Sequence, residues 1–192
     1  MTAGRGADRD ERSLRRLVRR GPGVAVLTGG QTGVDTLAAR AALRTGLPVH
    51  LIFPAGFRQE DGNLTPARRR ALTGANLHEL GSDSFRYRTW TSAYLADAVV
   101  LIDPAGGDGC RETARAASCL GRPLLSPGMA PVRAEEFAAW LDETGGRVLM
   151  VAGCRASLLA AQGRAVALRR QVAAIAAGAK ARHTQLVAEA IR

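Results

Sequence analysis

The stretch from Val24 to Gly46 constrains the fold more than any other part of the chain. Val24–Leu27 is an uncharged apolar run, as expected of a strand that is buried on both faces. A glycine turn follows, and then a helical pattern of apolar residues that ends at Gly46 and Pro48. When a strand leads through a turn into a helix, the backbone N–H groups and the positive end of the helix dipole point to one place. This arrangement predicts a site for a phosphate or another anion. The alternative is that the glycines only permit a tight turn.

The remainder of the chain repeats this alternation. Further apolar strands are predicted near 48–53, 77–80, 98–102, 124–125 and 147–152, with helical segments between most of them and a helix or loop at 84–95. This order predicts an α/β fold, namely a single Rossmann-like domain with a mostly parallel sheet and helices on both faces.

Three parts of the chain differ in composition. We assign 1–22 to a basic N-terminal arm with a short helix, 23–157 to the ligand-binding domain and 158–192 to an alanine-rich helical segment. The last segment is expected to pack on the domain or to form an oligomer interface. Gly163 and Gly178 are candidate breaks in its helix.

The formal net charge of +10 favours anionic partners. Arginines cluster before the first strand, at 68–70 and in the C-terminal tail. Solvated helix faces explain these clusters better than dedicated nucleic-acid binding does, because aromatic residues make up only 4% of the chain and base stacking requires them. The charge is therefore compatible with a nucleic-acid partner, but the scarcity of aromatic residues does not favour one.

Cysteine usage and hydropathy indicate the compartment. Three widely spaced cysteines do not form a disulfide framework, and they fit a reducing environment. No apolar run is long enough to span a bilayer, so no membrane partner is expected. We therefore expect a cytoplasmic protein. The three histidines have no metal-binding spacing with the cysteines, and no structural metal is predicted.

Two familiar nucleotide-binding motifs are absent. A P-loop needs a lysine that does not follow Gly33, and the dinucleotide fingerprint needs a third glycine where this chain has Glu112. ATP hydrolysis and NAD chemistry are therefore disfavoured. A second glycine turn, GGDGCRET at 106–113, nevertheless follows the strand at 98–102 and opens a helix. Two such turns favour an anion cradle over a purely structural role.

Four segments together resemble the molybdenum-cofactor carrier family. They are GGQTGVDTLAARAA at 29–42, FPAGFRQEDG at 53–62, YRTWT at 87–91 and VLMVAGCRAS at 148–157. This family is a branch of the Rossmann-like superfamily that includes the LOG-type nucleotide phosphoribohydrolases. The resemblance implies a homo-oligomer whose bound ligand is the phosphorylated pterin of the molybdenum cofactor, or a nucleotide.

The second glycine turn also resembles the LOG-type GGxGTxxE motif, whose glutamate is implied to act on the ribosyl carbon or its hydroxyls. Here Thr113 stands at the glutamate position, Glu112 comes one residue early and Cys110 replaces the threonine. One residue turns a helix by about 100°, so the chain departs from the enzyme pattern. Glu112 is the candidate catalytic residue. The alternative is an exposed first-turn glutamate that the helix dipole favours.

Several residues have two interpretations. Thr32 and Asp35 have nearly the spacing of a capping box, and we favour helix capping over ligand contact for Asp35. For Cys110 the alternatives are a reactive thiol at the start of a helix and a small side chain that packs in the interior, and we favour packing. The guanidinium groups in the matched segments bind phosphate or make surface ion pairs.

These features support three functions. The first is a protein that binds a phosphorylated heterocycle, the second an enzyme that cleaves the N-glycosidic bond of a nucleoside 5′-monophosphate, and the third a nucleic-acid-binding module. The candidate ligand-binding residues are Gly29, Gly30, Gln31, Thr32, Gly33, Asp35, Arg58, Glu60, Asp61, Arg88, Gly106, Gly107, Asp108, Gly109, Cys110, Arg155 and Ser157.

Overall fold

A parallel sheet forms the centre of the protein. The computed structural model describes residues 4–102, 107–128, 130, 132–157 and 165–192. Six strands form one sheet in the order β5-β2-β1-β8-β6-β7, and every pairing in it is parallel. The strands are β1 Ala25–Thr28, β2 Val49–Phe53, β5 Asn76–Glu79, β6 Ala98–Ile102, β7 Leu124–Gly128 and β8 Val148–Gly153, and β3 Arg58–Gln59 and β4 Gly62–Asn63 form a separate antiparallel hairpin.

Helices follow most of the strands. They are α1 Gly4–Val18, α2 Val34–Arg44, α3 Pro66–Arg70, α4 Phe85–Leu95, α5 Asp108–Cys119, α6 Ala134–Glu143 and α7 Ala165–Ile191, with one turn of 3₁₀ helix at Ala55–Phe57. The predicted α/β, Rossmann-like class is thus confirmed. None of the described helices has an apolar stretch long enough to cross a bilayer.

Three helices differ from the prediction. The first helix begins at Gly4 and is longer than the short one predicted. The segment predicted as a helix or loop is the helix α4, because the hydroxyl of Ser84 caps it by accepting from the N–H of Tyr87 at 3.2 Å. Gly178 does not break α7, so that prediction is wrong, whereas Gly163 lies outside the described residues.

Two groups of helices cover the sheet. One consists of α2, α6 and α7, and the other of α1, α4 and α5. The crossover from β1 to β2 and the crossover from β6 to β7 run in opposite directions along the sheet, so two right-handed crossovers place α2 and α5 on opposite faces. The direction changes across β1, β8 and β6, and a ligand crevice is therefore expected at the carboxyl ends of these central strands.

Along the central strands, successive side chains point alternately to the two groups of helices. Val26 and Leu149 are paired in register, and they line a small apolar gap with Val172 of α7. Their neighbours in the chain, Leu27 and Met150, form the next pair and point to the other face, because successive side chains of a strand alternate. All four residues are buried, which explains the continuous apolar runs in the sequence.

Gly178 lies where α7 touches α6. A Cβ atom at this position would lie 2.4 Å from the carbonyl oxygen of Ala134 and 3.0 Å from the ring of Phe137. The backbones can approach each other closely only because the side chain is absent. This contact accounts for a glycine inside a long helix, where glycine is otherwise unfavourable by about 1 kcal/mol relative to alanine.

We predict that Gly178→Ala lowers the free energy of unfolding by about 1–2 kcal/mol. Because the Cβ atom would meet a backbone oxygen at 2.4 Å, the overpacking cost lies in the upper part of the usual range, about 2–3 kcal/mol, and the better helix propensity of alanine offsets about 1 kcal/mol of it. Urea denaturation measures the change. Gly81→Ala is the matched control, because a Cβ atom at Gly81 meets nothing within 4 Å, and it should leave stability nearly unchanged. A Gly178→Ala variant as stable as the wild type would contradict the packing argument.

Candidate ligand-binding site

The first glycine turn brings the ends of β1 and β8 together. Gly30 and Gly33 have φ angles of 69° and 82°, which side chains rarely adopt. A Cβ atom at Gly33 would lie 2.4 Å from the carbonyl oxygen of Cys154, and the N–H of Val34 donates to the same oxygen at 3.0 Å. The loops after β1 and β8 are therefore in direct backbone contact.

The predicted capping roles of Thr32 and Asp35 are wrong. Gly33 is the N-cap residue of α2, and no side chain caps it. The hydroxyl of Thr32 donates instead to Glu60. The carboxylate of Asp35 turns back over the loop and accepts from the N–H of Gln31 at 3.1 Å. Asp35 thus contacts the loop that precedes its own helix, and Thr32 joins that loop to the β3–β4 hairpin.

Asp35 and Arg88 form a buried ion pair above Gly29. Their charged atoms are 3.5 Å apart, and their side chains are only 6% and 9% exposed. A Cβ atom at Gly29 would lie 1.2 Å from the Nη1 atom of Arg88, so only glycine leaves room for the guanidinium. Among the described residues the Nε atom of Arg88 has no hydrogen-bond partner. Within the described part of the chain, the buried guanidinium therefore has one donor that no protein group accepts from.

Burial sets the protonation of this pair. It raises the pKa of Asp35 from 3.8 to about 6, and the positive charge of Arg88 only partly opposes the shift. Burial likewise lowers the pKa of Arg88, while Asp35 raises it. Near neutral pH the carboxylate is ionised, but it can take up a proton under mildly acidic conditions.

A cavity of about 430 Å³ opens beside this pair, between α4, the start of α5 and the end of β8. Met150 and Ala152 of β8 line it together with Arg88. The cavity lies at the carboxyl end of a central strand, as expected of a ligand crevice in an open α/β sheet. The predicted site residues that line it are Gln31, Asp35, Glu60, Arg88, Asp108, Gly109, Cys110, Glu112 and Arg155.

A larger cavity of about 840 Å³ lies next to the first. Its predicted residues are Thr32, Gly33, Glu60, Asp61, Arg155 and Ser157. Three arginines that were not predicted, Arg40, Arg68 and Arg169, also line it. Glu60 and Arg155 line both cavities, and the Nε atom of Arg155 lies 3.3 Å from the carboxylate of Glu60. These two side chains therefore form the wall between the cavities.

Several predicted residues line neither cavity. Arg58 pairs with Asp83 at 3.3 Å and lies over the ring of Phe85, which is the surface ion pair given above as the alternative. Gly29 and Gly30 lack side chains and so leave room for the side chains of Arg88 and Phe53, respectively. Gly107 has a φ angle of 96° and is the N-cap residue of α5. Gly106 lies outside the described residues.

Two predicted residues at the start of α5 have local partners. Asp108 forms an ion pair with Arg111, one turn along the helix. The side chain of Cys110 is only 3% exposed, which agrees with the packing role favoured for it.

Glu112 is held by two side chains of α4. Its carboxylate accepts from the indole Nε1 of Trp90 at 2.5 Å and from the Nε of Arg86 at 2.8 Å. The hydrogen bond from Trp90, and then Arg86, lowers the pKa of Glu112. A carboxylate stabilised in its ionised form is a poor proton donor at neutral pH.

Sequence reasoning missed the two partners of Glu112. A helical interpretation of 84–95 could have found them, because Arg86 and Trp90 are four residues apart and such residues share one face of a helix.

A stacked histidine pair lies elsewhere in the sheet. His50 of β2 and His78 of β5 have ring centroids 5.3 Å apart, and Nδ1 of His50 is 3.0 Å from Nε2 of His78. Burial, and then the charge of His78, lowers the pKa of His50 from 6.5 to about 4. No group of three or more metal-binding side chains occurs in the part of the chain that the structure describes.

Comparison with known proteins identifies the family. The model of the circularly permuted YpsA family of SLOG proteins matches residues 26–171. The chain belongs to this SLOG family. The matched range begins in β1 and ends within α7, so it includes the residues that line the two cavities.

One solved structure has the same fold. It is the 1.45 Å crystal structure of a putative molybdenum carrier protein from Syntrophus aciditrophicus SB, with a TM-score of 0.64 and 20% identity, and the match covers 80% of this chain and 94% of that one. At this identity the likeness shows the fold alone. No curated protein sequence matches the chain significantly.

The buried carboxylate and the histidine pair predict opposite pH effects on stability. The folded state takes up a proton on Asp35 more readily than the unfolded state, so stability falls as pH rises from about 4 to about 6. The folded state protonates His50 less readily, so stability rises as pH rises from about 4 to 6.5. Each effect amounts to a few kcal/mol, and the two oppose each other between about pH 4 and pH 6.

We therefore expect Asp35→Asn to steepen the loss of stability towards acid, because the effect of His50 is then no longer opposed. Urea denaturation between pH 4 and pH 7 measures the slope, which is separate from any uniform loss caused by leaving the charge of Arg88 unpaired. Asp83→Asn, which removes an exposed carboxylate, is the control and should keep the wild-type profile. The same slope in Asp35→Asn and the wild type would contradict the assignment.

Proposed function

We propose that this protein binds a phosphorylated heterocyclic molecule, either the molybdenum cofactor or a nucleotide, in the smaller cavity. The observation that carries this proposal is Arg88, which lines a cavity at the carboxyl end of β8 with a buried guanidinium whose Nε atom has no hydrogen-bond partner among the described residues. A buried charge with an unused donor costs free energy. An anionic ligand in the cavity would offset part of that cost through its charge and through a charge-assisted hydrogen bond to the guanidinium.

The start of α5 supports the same ligand class. Asp108, Gly109 and Cys110 place the first turn of the helix at the cavity rim, where the helix dipole favours a phosphate. Met150, Ala152 and Phe85 supply apolar surface on the other side, which suits the face of a ring. The volume of about 430 Å³ lies within the usual range of small-molecule sites, about 300–1,000 Å³.

The molybdenum cofactor fits this site through its pterin phosphate. The cavity offers donors for the phosphate and apolar surface for the ring, whereas no cluster of metal-binding side chains occurs among the described residues. The metal would accordingly be held by the pterin itself and arrive as cargo. The shared fold of the molybdenum carrier from Syntrophus aciditrophicus SB agrees with a carrier role.

Gly109→Val tests the cavity without straining the backbone. Gly109 lines the smaller cavity, a Cβ atom there meets nothing within 4 Å, and its φ angle is ordinary. The added side chain should fill ligand space while the protein stays folded, and it should weaken ligand binding at least about tenfold. Calorimetry with AMP, GMP and anaerobically prepared molybdopterin measures the affinity.

Gly81→Val is the matched control for this test. Gly81 lines neither cavity, and its surroundings are equally open. Wild-type affinity in a folded Gly109→Val variant would remove the smaller cavity as the binding site. Mass spectrometry of the small molecule that co-purifies with the wild type would identify the natural ligand.

The alternative function is an N-glycosidase acting on nucleoside 5′-monophosphates. It is favoured by Glu112, a carboxylate that lines the same cavity. Against it, Glu112 comes one residue early for the motif, and Trp90 and Arg86 both donate to its Oε1 atom, which holds the carboxylate against α4. Binding without turnover is therefore the better-supported function.

We accordingly expect no appreciable release of free base from AMP, GMP, CMP or UMP, measured by chromatography over hours at micromolar protein. Glu112→Gln should keep the affinity for these nucleotides within about threefold, because the side chain contacts α4. Steady turnover in the wild type that Glu112→Gln eliminates would instead establish the glycosidase. Turnover retained in that variant would direct attention to Asp35, Glu60 or Asp61.

A further inference from the structure

Glu60 occupies a set of donors that resembles an anion site. One carboxylate oxygen of Glu60 accepts from the hydroxyl of Thr32. The other lies 3.3 Å from the hydroxyl of Ser157 and 3.3 Å from the Nε of Arg155. Two hydroxyls and a guanidinium around one acidic group are the donors that proteins use for phosphate and similar oxyanions.

These donors come from the loops that follow β1 and β8. Thr32 belongs to the first loop and Arg155 and Ser157 to the second, and the N–H of Ala156 joins the loops by donating to the Thr32 hydroxyl at 3.3 Å. The two strands are adjacent at the centre of the sheet, where an open α/β fold binds the charged part of its ligand. The carboxylate therefore occupies the place where a ligand anion is expected.

The backbone around Glu60 is held by contacts that do not involve its carboxylate. It lies in the turn of the β3–β4 hairpin, and its neighbour Gln59 anchors that hairpin by donating to the carbonyl oxygen of Gly30 at 2.8 Å. The N–H of Glu60 itself donates to the side chain of Gln31 at 2.8 Å. With the backbone held at both points, rotation of one side chain is enough to release the donors.

We propose that Thr32, Arg155 and Ser157 form a binding site for a tetrahedral oxyanion, and that the Glu60 carboxylate fills this site until the oxyanion displaces it. The chemistry fits the phosphoryl group of a heterocyclic ligand and free molybdate alike. Displacement would also open the wall between the two cavities, because Glu60 lines both. The phosphoryl source rests on the function proposed above, whereas the oxyanion site itself does not.

The test is calorimetry of the wild type and Glu60→Ala with inorganic phosphate, sulfate and molybdate. If Glu60 fills the site in about nine molecules of ten, removing it should lower the dissociation constant about tenfold. Glu60→Ala/Arg155→Ala should lose this gain, because the guanidinium is the charged donor. Asp83→Asn, which removes an exposed carboxylate outside both cavities, is the control and should bind as the wild type does.

Each outcome decides the proposal. Unchanged or weaker oxyanion binding in folded Glu60→Ala would overturn it, as would an equal gain in the double variant. Tighter binding of molybdate alone would identify the free metal oxyanion as the occupant, and tighter binding of phosphate and sulfate as well would indicate the phosphoryl group. Tighter oxyanion binding in Glu60→Ala, together with no binding of AMP or molybdopterin by any variant, would sustain this site and reject the proposed function.

Discussion

The buried ion pair between Asp35 and Arg88 is the interaction on which the candidate site depends. Asp35 belongs to α2 and Arg88 to α4, and these helices belong to the two groups that cover the sheet. The pair thus joins both layers over the carboxyl end of β1. Gly29 lies beneath the guanidinium because any side chain there would occupy the same space.

Such a pair is a poor source of stability. Removing two charges from water costs several kcal/mol per ion, and their attraction often only matches that cost. Here one nitrogen of the guanidinium has no hydrogen-bond partner among the described residues, so the compensation is incomplete. A polar arrangement of this kind is better explained by ligand binding than by folding, since well-packed apolar residues would stabilise the fold at least as well.

Fold class was predictable from sequence because the signals are local. Continuous apolar runs mark β1, β6 and β8 as strands that are buried on both faces, and each is followed by a turn or a helix start. The family resemblance likewise pointed to the loops that line the cavities, and the family match covers these loops. Partners across the sheet were not predictable, because Asp35 and Arg88 are distant in sequence and a capping pattern gives the same local signal.

The same limit explains the other differences. Arg58 and Arg155 are alike in the sequence, yet one pairs with Asp83 at the surface and the other with Glu60 between two cavities. Gly178 is compatible with a helix break in any local interpretation, and only the backbone of α6 beside it shows why the residue is glycine. Glu112 was singled out by a motif, but its partners on α4 determine its chemistry.

The position of β8 in the sheet has a consequence for how the protein is made. This strand comes last in the chain but pairs with β1 on one side and β6 on the other. Until it is in place, the strands β5-β2-β1 and β6-β7 are two half-sheets whose inner edges lack partners, and such edges readily join other chains. The ribosome must therefore have made the chain through β8 before the two half-sheets can close around this strand, and the crevice at its carboxyl end cannot form earlier.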